Sequence, residues 1–177
     1  EYVAGLAEVV KHAIISDYEM FEFLENNFSE VLERSVFAIN YMVERSVYIK
    51  SKIVEADEFE SNVRKKLNLG HTWGHAVEIC NGSRHGESVS IGLVFAARLS
   101  LSRAMITQKE YDRILGLLKK LSLPIVLSGD FNEIFSVLQN DKKRVGDGID
   151  FVLIRSIGCV EIARISLKEL HDFVDTL

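Results

Sequence analysis

The scarcity of proline is the feature that most constrains the fold of this chain. Pro124 is the only proline among 177 residues, and long stretches rich in Leu, Ile, Val, Glu and Lys run without interruption. Because proline breaks helices, such stretches with apolar residues three and four positions apart favour helices over a β-sandwich or barrel. The pattern predicts helices over about residues 5–15, 18–26, 29–55, 72–80, 86–105, 108–121, 130–139 and 167–174.

Two β-rich runs lie near the C-terminus, at residues 150–154 and 160–165, on either side of Gly158. We expect them to form a small hairpin or a pair of edge strands. The sequence therefore predicts a mainly α fold, a single multi-helical domain over residues 1–177 with a small β-hairpin near its C-terminus. The first residue is Glu1 rather than Met and lies directly against a helix, so we expect the chain to be part of a longer protein.

Composition excludes several classes of partner. The net charge is −5, which argues against nucleic acid or an acidic membrane as a partner. No apolar run approaches the 18 residues of a membrane span, and no signal-peptide pattern is present. Cys80 and Cys159 are far apart and outside any C-x-x-C arrangement, which favours a reduced, cytoplasmic location.

Three of the five histidines lie within fifteen positions, and each has a glycine neighbour. His71 and His75 have the i, i+4 spacing that places two side chains on one helix face, while His85 arrives from a separate turn. Three imidazoles, or two and a carboxylate, suit a catalytic Zn²⁺ site with an open position. Clustered histidines are also common without function, so this pattern alone does not establish a metal site.

Spacing alone does not identify the carboxylate ligand. Glu87 lies two residues after His85, whereas Glu8 belongs to the first predicted helix. Glu8 has Lys11 at i+3, most often a solvated helix pair, and His12 at i+4, which is also spaced to share a cation with it. These alternatives remain open at the level of the residues.

A set of basic and amide side chains surrounds the histidine motif. Arg64 and Asn68 precede His71 and His75 at four- and three-residue steps, so all four would project one way if helical geometry held throughout. Cations bind phosphate or carboxylate, which fits a small anionic substrate beside a metal, although lysines at helix ends are more often simply solvated. The whole set is Lys50, Arg64, Asn68, Lys142 and Lys143. The chain carries neither the Gly-x-Gly-x-x-Gly nor the Walker pattern for cradling a nucleotide.

Several motifs occur in one order along almost the whole chain. Together they resemble the C-terminal metal-binding domain of the 3-dehydroquinate synthase family. The motifs are Gly5-x-Ala7-Glu8-x-x-Lys11, Lys50-x-x-x-Val54-x-x-Asp57-Glu58-x-Glu60-x-x-x-Arg64, Leu67-Asn68-x-Gly70-His71-Thr72-x-Gly74-His75-Ala76-x-Glu78, His85-Gly86-Glu87-x-Val89-x-Ile91-Gly92 and Asp141-Lys142-Lys143. The departures from the family pattern are Ala13 and Asn62, where glycine is usual, and Trp73, where phenylalanine is usual.

The resemblance implies a role for each matching residue. It makes Glu8, His71 and His85 the ligands of Zn²⁺, with Co²⁺ as a possible substitute, and it moves His75 to the substrate side, near the phosphate. The matching substrate-binding and catalytic positions are Lys11, Lys50, Glu60, Arg64, Asn68, His75 and one lysine of the Asp141-Lys142-Lys143 run, for which we favour Lys142.

The resemblance also implies an activity. The family enzyme is a phosphate-eliminating lyase of the shikimate pathway that converts 3-deoxy-D-arabino-heptulosonate 7-phosphate to 3-dehydroquinate. It depends on Zn²⁺ and on NAD, which is bound mainly by an N-terminal domain that this chain lacks. We therefore expect the chain to be inactive alone, with that domain as its partner and a homodimer possible. The alternatives are another sugar-phosphate cyclase, a metal-dependent alcohol dehydrogenase of the same plan, or a non-catalytic helical metal-binding module.

Overall fold

The computed structural model describes residues 1–59, 63–127, 130–139, 144–145 and 148–177. Its helices are α1 (Tyr2–Ser16), α2 (Tyr18–Asn26), α3 (Phe28–Leu32), α4 (Val36–Ala56), α5 (His71–Asn81), α6 (His85–Ser102), α7 (Gln108–Lys120), α8 (Phe131–Gln139) and α9 (Leu167–Val174), with a 3₁₀ helix at Val63–Asn68. The strands are β1 (Arg144–Val145), β2 (Gly148–Ser156) and β3 (Cys159–Ser166). The predicted mainly α fold is confirmed.

Helix α6 lies at the centre of the molecule. It is buried along most of its length and packs against α1, α5, α7 and β2. The small residues on this helix, which the sequence places every few positions, let its neighbours approach closely: a Cβ on Gly92 would lie 1.7 Å from the carbonyl oxygen of Gly70. Two apolar clusters flank α6. One is built around α1, α2, α4 and α7, and the other around α5, α8, α9 and the sheet.

The predicted hairpin is confirmed and is longer than expected. Strands β2 and β3 pair antiparallel from Gly148 opposite Ser166 to Ser156 opposite Cys159, with an irregularity near the turn. The two-residue β1 adds to the other edge of β2, which gives the order β1-β2-β3. Gly158 turns the chain at φ +90°, and its N–H donates to the carbonyl of Ile14 at 3.0 Å, which ties the hairpin to α1.

The single long helix predicted over residues 29–55 is wrong, because α3 ends at Leu32 and α4 begins at Val36. Arg34 adopts φ +60° between them, and the Ser35 N–H donates to the Glu30 carbonyl, a bond that closes the end of α3. The left-handed conformation costs a non-glycine residue about 1 kcal/mol, so glycine usually occupies such a position. Here the position holds arginine, and the sequence therefore contains no glycine or proline that would mark the break. The Arg34 guanidinium lies over the Tyr2 ring, 4.8 Å from its centroid, and this contact holds the junction against α1.

Within the described residues, no helix combines the length and the apolar character that a membrane crossing requires.

Candidate metal centre

Glu8 lies on α1, and its two carboxylate oxygens have different surroundings. Oε2 forms an ion pair with Lys11 Nζ at 2.5 Å, and the Lys11 side chain is only 5% exposed. Oε1 is buried and accepts no hydrogen bond from the described residues. A buried carboxylate oxygen with no donor is energetically unfavourable, so this atom is the first sign that a cation belongs here.

His71 is the first residue of α5 and follows Gly70, whose φ is +77°. The backbone of Gly70 lies against Gly92 of α6, so the turn that aims His71 is fixed by helix packing. His71 Nδ1 lies 3.1 Å from the Leu69 carbonyl oxygen. Because a carbonyl only accepts, we assign the proton to Nδ1, which leaves a lone pair on Nε2. Nε2 lies 3.3 Å from Glu8 Oε1.

His85 is the first residue of α6 and repeats this arrangement. Its Nδ1 lies 2.9 Å from Glu78 Oε2, so Nδ1 carries the proton and Nε2 again has a lone pair. Nε2 lies 3.7 Å from Glu8 Oε1. Glycine at position 86 permits this approach of α6 to α1, since a Cβ there would lie 2.0 Å from the Ala4 carbonyl oxygen.

The three donor atoms fit a tetrahedral metal ion. Glu8, His71 and His85 each offer one ligand atom, and these atoms lie within 4.8 Å of one another. Ligands about 2.0–2.1 Å from a tetrahedral ion are separated by about 3.3 Å, close to the 3.3 and 3.7 Å found between Glu8 Oε1 and the two imidazoles. Three nitrogen and oxygen ligands leave a fourth position for water or substrate, which is the pattern of a catalytic Zn²⁺ site.

A second potential ligand group shares one residue with the first. His75, Glu78 and His85 also offer ligand atoms within 4.8 Å of one another. The His75 ring lies 5.3 Å from that of His71 and 5.9 Å from that of His85, between centroids. Among the described residues Glu87, the alternative carboxylate of the sequence analysis, belongs to neither group.

An open cavity of about 530 Å³ lies beside the first group. It is lined by Glu8, Lys11, His12, Lys50, Arg64, Leu67, Asn68, His71 and His85. Three of these residues are cations, so the cavity suits a small anionic ligand despite the acidic chain. The structure therefore brings most of the predicted site residues together.

The expected single helical face from Arg64 to His75 is wrong in detail. Arg64 and Asn68 lie on the 3₁₀ helix, and the turn at Gly70 separates them from α5. Arg64, Asn68 and His71 still line one cavity, whereas His75 is not among its described lining residues. Glu60 and Lys142, together with Lys143, lie outside the described residues.

The 3₁₀ helix is held by contacts on both sides. The Arg64 N–H donates to Asp57 Oδ2 at 3.0 Å, and Arg64 Nη1 donates to the Glu58 carbonyl at 2.8 Å. Lys65 Nζ lies 3.1 Å from Asp150 Oδ2 on β2. Asp150 also accepts two bonds from Arg164 on β3, so the sheet supports the segment that carries Arg64 and Asn68.

Burial and charge shift the protonation of three groups in the cavity. Burial acts to raise the pKa of Glu8, but the close approach of His71 and the charge of Lys11 outweigh it and hold that pKa well below its usual range. Burial lowers the pKa of Lys11, against the opposing effect of Glu8. Burial, then the charge of Lys11, lowers the pKa of His12 to about 4, so His12 is neutral at pH 7.

Sequence reasoning missed the place of two residues at the site: it treated His12 only as a residue spaced to share a cation with Glu8, and it gave Glu78 no role. His12 lines the cavity and is buried, with Nδ1 lacking a hydrogen-bond partner among the described residues. Glu78 belongs to the quoted motif, but only the structure shows that it contacts His85. The local sequence offers only two signals: His12 follows Glu8 by four positions, and Glu78 precedes His85 by seven. Both spacings are common, so neither would have identified these residues.

Comparison with known proteins identifies the family of this chain. The family described as 3-dehydroquinate synthase C-terminal matches residues 5–144. The 3-dehydroquinate synthase of a Thermoanaerobacter species is 39% identical, over 96% of this chain and 49% of its own length. That of Geobacter metallireducens is 40% identical, over 99% of this chain and 49% of its own length. The chain thus spans about half the length of these curated relatives.

Solved structures share the fold. A 2-epi-5-epi-valiolone synthase from Streptomyces hygroscopicus subsp. jinggangensis, with NAD⁺ and Zn²⁺ bound, superposes with a TM-score of 0.87 at 25% identity, over 99% of this chain and 50% of that one. A 2-deoxy-scyllo-inosose synthase complexed with carbaglucose-6-phosphate, NAD⁺ and Co²⁺ gives 0.83 at 22% identity, over 98% and 51%. On the extent of the family match and the identity to its curated relatives, the chain belongs to the 3-dehydroquinate synthase C-terminal family.

Proposed function

We propose that this chain is the metal- and substrate-binding half of a cytoplasmic 3-dehydroquinate synthase. The reaction converts 3-deoxy-D-arabino-heptulosonate 7-phosphate to 3-dehydroquinate and phosphate in the shikimate pathway. The observation that carries the proposal is the convergence of Glu8 Oε1, His71 Nε2 and His85 Nε2 beside a cavity lined by cations, in a chain of this family. The two free cysteines, Cys80 and Cys159, fit the reducing cytoplasm.

Glu8, His71 and His85 would hold Zn²⁺, for which Co²⁺ can substitute. The ion would supply Lewis-acid polarisation of the substrate hydroxyl that is oxidised. The chain's contribution is to present three lone pairs in a fixed arrangement. Lys11 holds the other oxygen of Glu8, and Leu69 O and Glu78 hold the Nδ1 sides of the two imidazoles.

The remaining lining residues would bind and orient the substrate. Lys50, Arg64 and Asn68 can donate to its carboxylate and phosphate, and donors on one cavity wall would hold the molecule in one pose for elimination and ring closure. Lys11 is buried against Glu8, so we propose that it acts at the metal edge of the substrate. The roles of His75 near the phosphate, and of Glu60 and Lys142, remain predictions of the sequence analysis.

NAD would be bound mainly by the half of the enzyme that this chain does not span. The curated relatives are about twice as long as the region they share with this chain, which supports a second domain. When bound, NAD supplies the hydride chemistry of the transient oxidation. The substrate would then lie between the two halves, with the cavity described here as one wall.

A second candidate is another sugar-phosphate cyclase. It is favoured by the similarity to the 2-epi-5-epi-valiolone synthase structure, which matches almost the whole chain. The two candidates differ in whether the substrate carries a carboxylate. A carboxylated substrate needs a cationic partner, and Arg64 could be that partner. The full-length enzyme distinguishes them when its turnover of the heptulosonate phosphate is compared with its turnover of sugar phosphates that lack a carboxylate.

The metal assignment is tested by replacing one ligand. We expect His71→Ala to abolish stoichiometric Zn²⁺ or Co²⁺ binding, since it removes one of three ligands. The control is His171→Ala, because His171 lies on α9, contacts Asp175 and is not among the described residues that line the cavity. Unchanged metal content in His71→Ala, measured by elemental analysis after dialysis, would contradict the assignment.

A further inference from the structure

His85 needs an external partner to fix its orientation. It is the first residue of α6, and its side chain is half exposed, at 50%. Rotation about the side-chain bonds of such a residue is restricted little by packing, yet only one ring nitrogen can face Glu8. A proposed ligand with this freedom would lose affinity for the metal, because its ring would have to be ordered on binding.

Glu78 supplies that partner from a rigid helix. Its Oε2 lies 2.9 Å from His85 Nδ1, and its side chain is 35% exposed. Glu78 belongs to α5, which is fixed against α6 by the stacking of Trp73 on Phe95, with 3.8 Å between ring centroids. The same helix carries His71 at its first turn, so one rigid element sets the positions of both imidazoles.

We propose that Glu78 is a positioning residue of the metal centre, acting through His85. By accepting a hydrogen bond from the Nδ1–H group, its carboxylate fixes the tautomer and ring direction of His85, so that the Nε2 lone pair faces Glu8 Oε1. A carboxylate in this position also raises the basicity of the coordinating nitrogen. The inference rests on the proposed function, since it requires the metal to bind Glu8, His71 and His85.

The competing possibility is that Glu78 is itself a ligand, together with His75 and His85. The geometry favours the positioning role. The two nitrogens of an imidazole face different directions, and the one directed at Glu78 is Nδ1, in direct hydrogen-bond contact at 2.9 Å. An ion held by Glu78 would have to displace that hydrogen bond and would leave Glu8 Oε1 buried without a partner.

Two variants of Glu78 separate the roles, with Co²⁺ as the probe in titrations of the metal-free protein. Glu78→Ala removes the acceptor, and we expect it to weaken Co²⁺ binding by about 10- to 100-fold with the visible spectrum of the bound ion retained. Glu78→Gln keeps an oxygen that accepts from Nδ1, so we expect most of the affinity to return. The control is Glu161→Ala, whose side chain is 38% exposed and paired with Arg155 on the hairpin.

Each outcome bears on one claim. Glu78→Ala that binds Co²⁺ as tightly as the wild type would overturn the positioning role. So would weaker Co²⁺ binding together with a changed visible spectrum of the bound ion in Glu78→Gln, which is the result expected if Glu78 is itself a ligand. Wild-type protein that binds no Co²⁺ would overturn the proposed function itself, and this inference with it. Circular dichroism of each variant checks that it is folded.

Discussion

At the scale of single residues, the site depends on groups whose two polar atoms serve different purposes. One oxygen of Glu8 pairs with Lys11, and the other is available to bind a cation. His71 and His85 each use Nδ1 on a neighbouring acceptor and present Nε2. Each contact orients its residue before any ligand arrives, which reduces the entropy lost on binding.

His12 differs from these residues because its burial makes its protonation unfavourable. The residue is 8% exposed, and burial with the charge of Lys11 lowers its pKa to about 4, against an unfolded value near 6.5. Between these two values the unfolded chain binds the proton and the folded chain does not. The free energy of unfolding therefore falls as the pH drops through this range. Above about pH 6.5 His12 is neutral in both states and causes no loss of stability.

We expect the free energy of unfolding of the metal-free chain to include a loss of about 2 kcal/mol from His12 between pH 7 and pH 5. Urea unfolding of the wild type at the two pH values measures the total change. The matched variant His12→Asn lacks the titrating group, so its pH dependence should be smaller by this amount. Equal pH dependence in the two proteins would contradict the burial of a neutral His12.

At the scale of helices and strands, the position of His71 depends on how closely α6 approaches the turn before α5. A Cβ on Gly92 would lie 1.7 Å from the carbonyl oxygen of Gly70, a contact that only backbone movement can relieve. Gly70 itself has φ +77°, which L side chains rarely adopt. These two glycines therefore set the distance between the helices that carry His71 and His85.

We expect Gly92→Ala to destabilise the chain by about 3 kcal/mol or more, because the shift it forces is in the backbone. It should also weaken Co²⁺ binding, since Gly70 and His71 must move together. The control is Gly116→Ala on α7, where an added Cβ meets nothing within 4 Å. That change should be neutral or stabilising by about 0.5–1 kcal/mol. Thermal unfolding of both variants checks this, and equal midpoints would refute the packing argument.

The elements also show how far the sequence could be interpreted. Apolar spacing located most helices and the hairpin, because amphipathic periodicity records which face each element buries. It could not find the break at Arg34, where a non-glycine residue takes the left-handed conformation and contacts with Tyr2 stabilise it. Nor could it predict the 3₁₀ helix before Gly70, since the supporting contacts with Asp57 and Asp150 come from distant segments.

The site itself was only partly predictable for the same reason. The spacing of His71 and His75 suggested two ligands on one helix face, but the Glu8 oxygen that lacks a donor lies nearest to His71 and His85. No local pattern relates position 8 to position 71, and that pairing came from the resemblance to a family. The contact between Glu78 and His85 depends on how α5 meets α6, which a single sequence does not encode in any short motif.

At the scale of the whole molecule, the chain presents an open cavity rather than an enclosed active site. The cavity has the proposed metal ligands at one edge and a cationic wall, and the curated relatives extend over about twice the shared length. An active site that excludes water needs a further wall. The proposed NAD-binding half is the natural source of that wall.

We expect the chain alone to bind metal and to release no phosphate from the heptulosonate phosphate, with or without added NAD. The full-length enzyme should release one phosphate for each 3-dehydroquinate formed. A phosphate-release assay on both proteins, with the His71→Ala full-length variant as the inactive control, measures this difference. Turnover by the chain alone would show that this cavity needs no second half.

The position of the bound metal tests the account most directly. Crystals of the Co²⁺- or Zn²⁺-loaded protein, with data collected at the metal absorption edge, locate the ion from its anomalous scattering. We predict one ion about 2.0–2.2 Å from Glu8 Oε1, His71 Nε2 and His85 Nε2, with Glu78 on the far side of His85. An ion bound instead by His75, Glu78 and His85, or no ion in this region, would contradict the account.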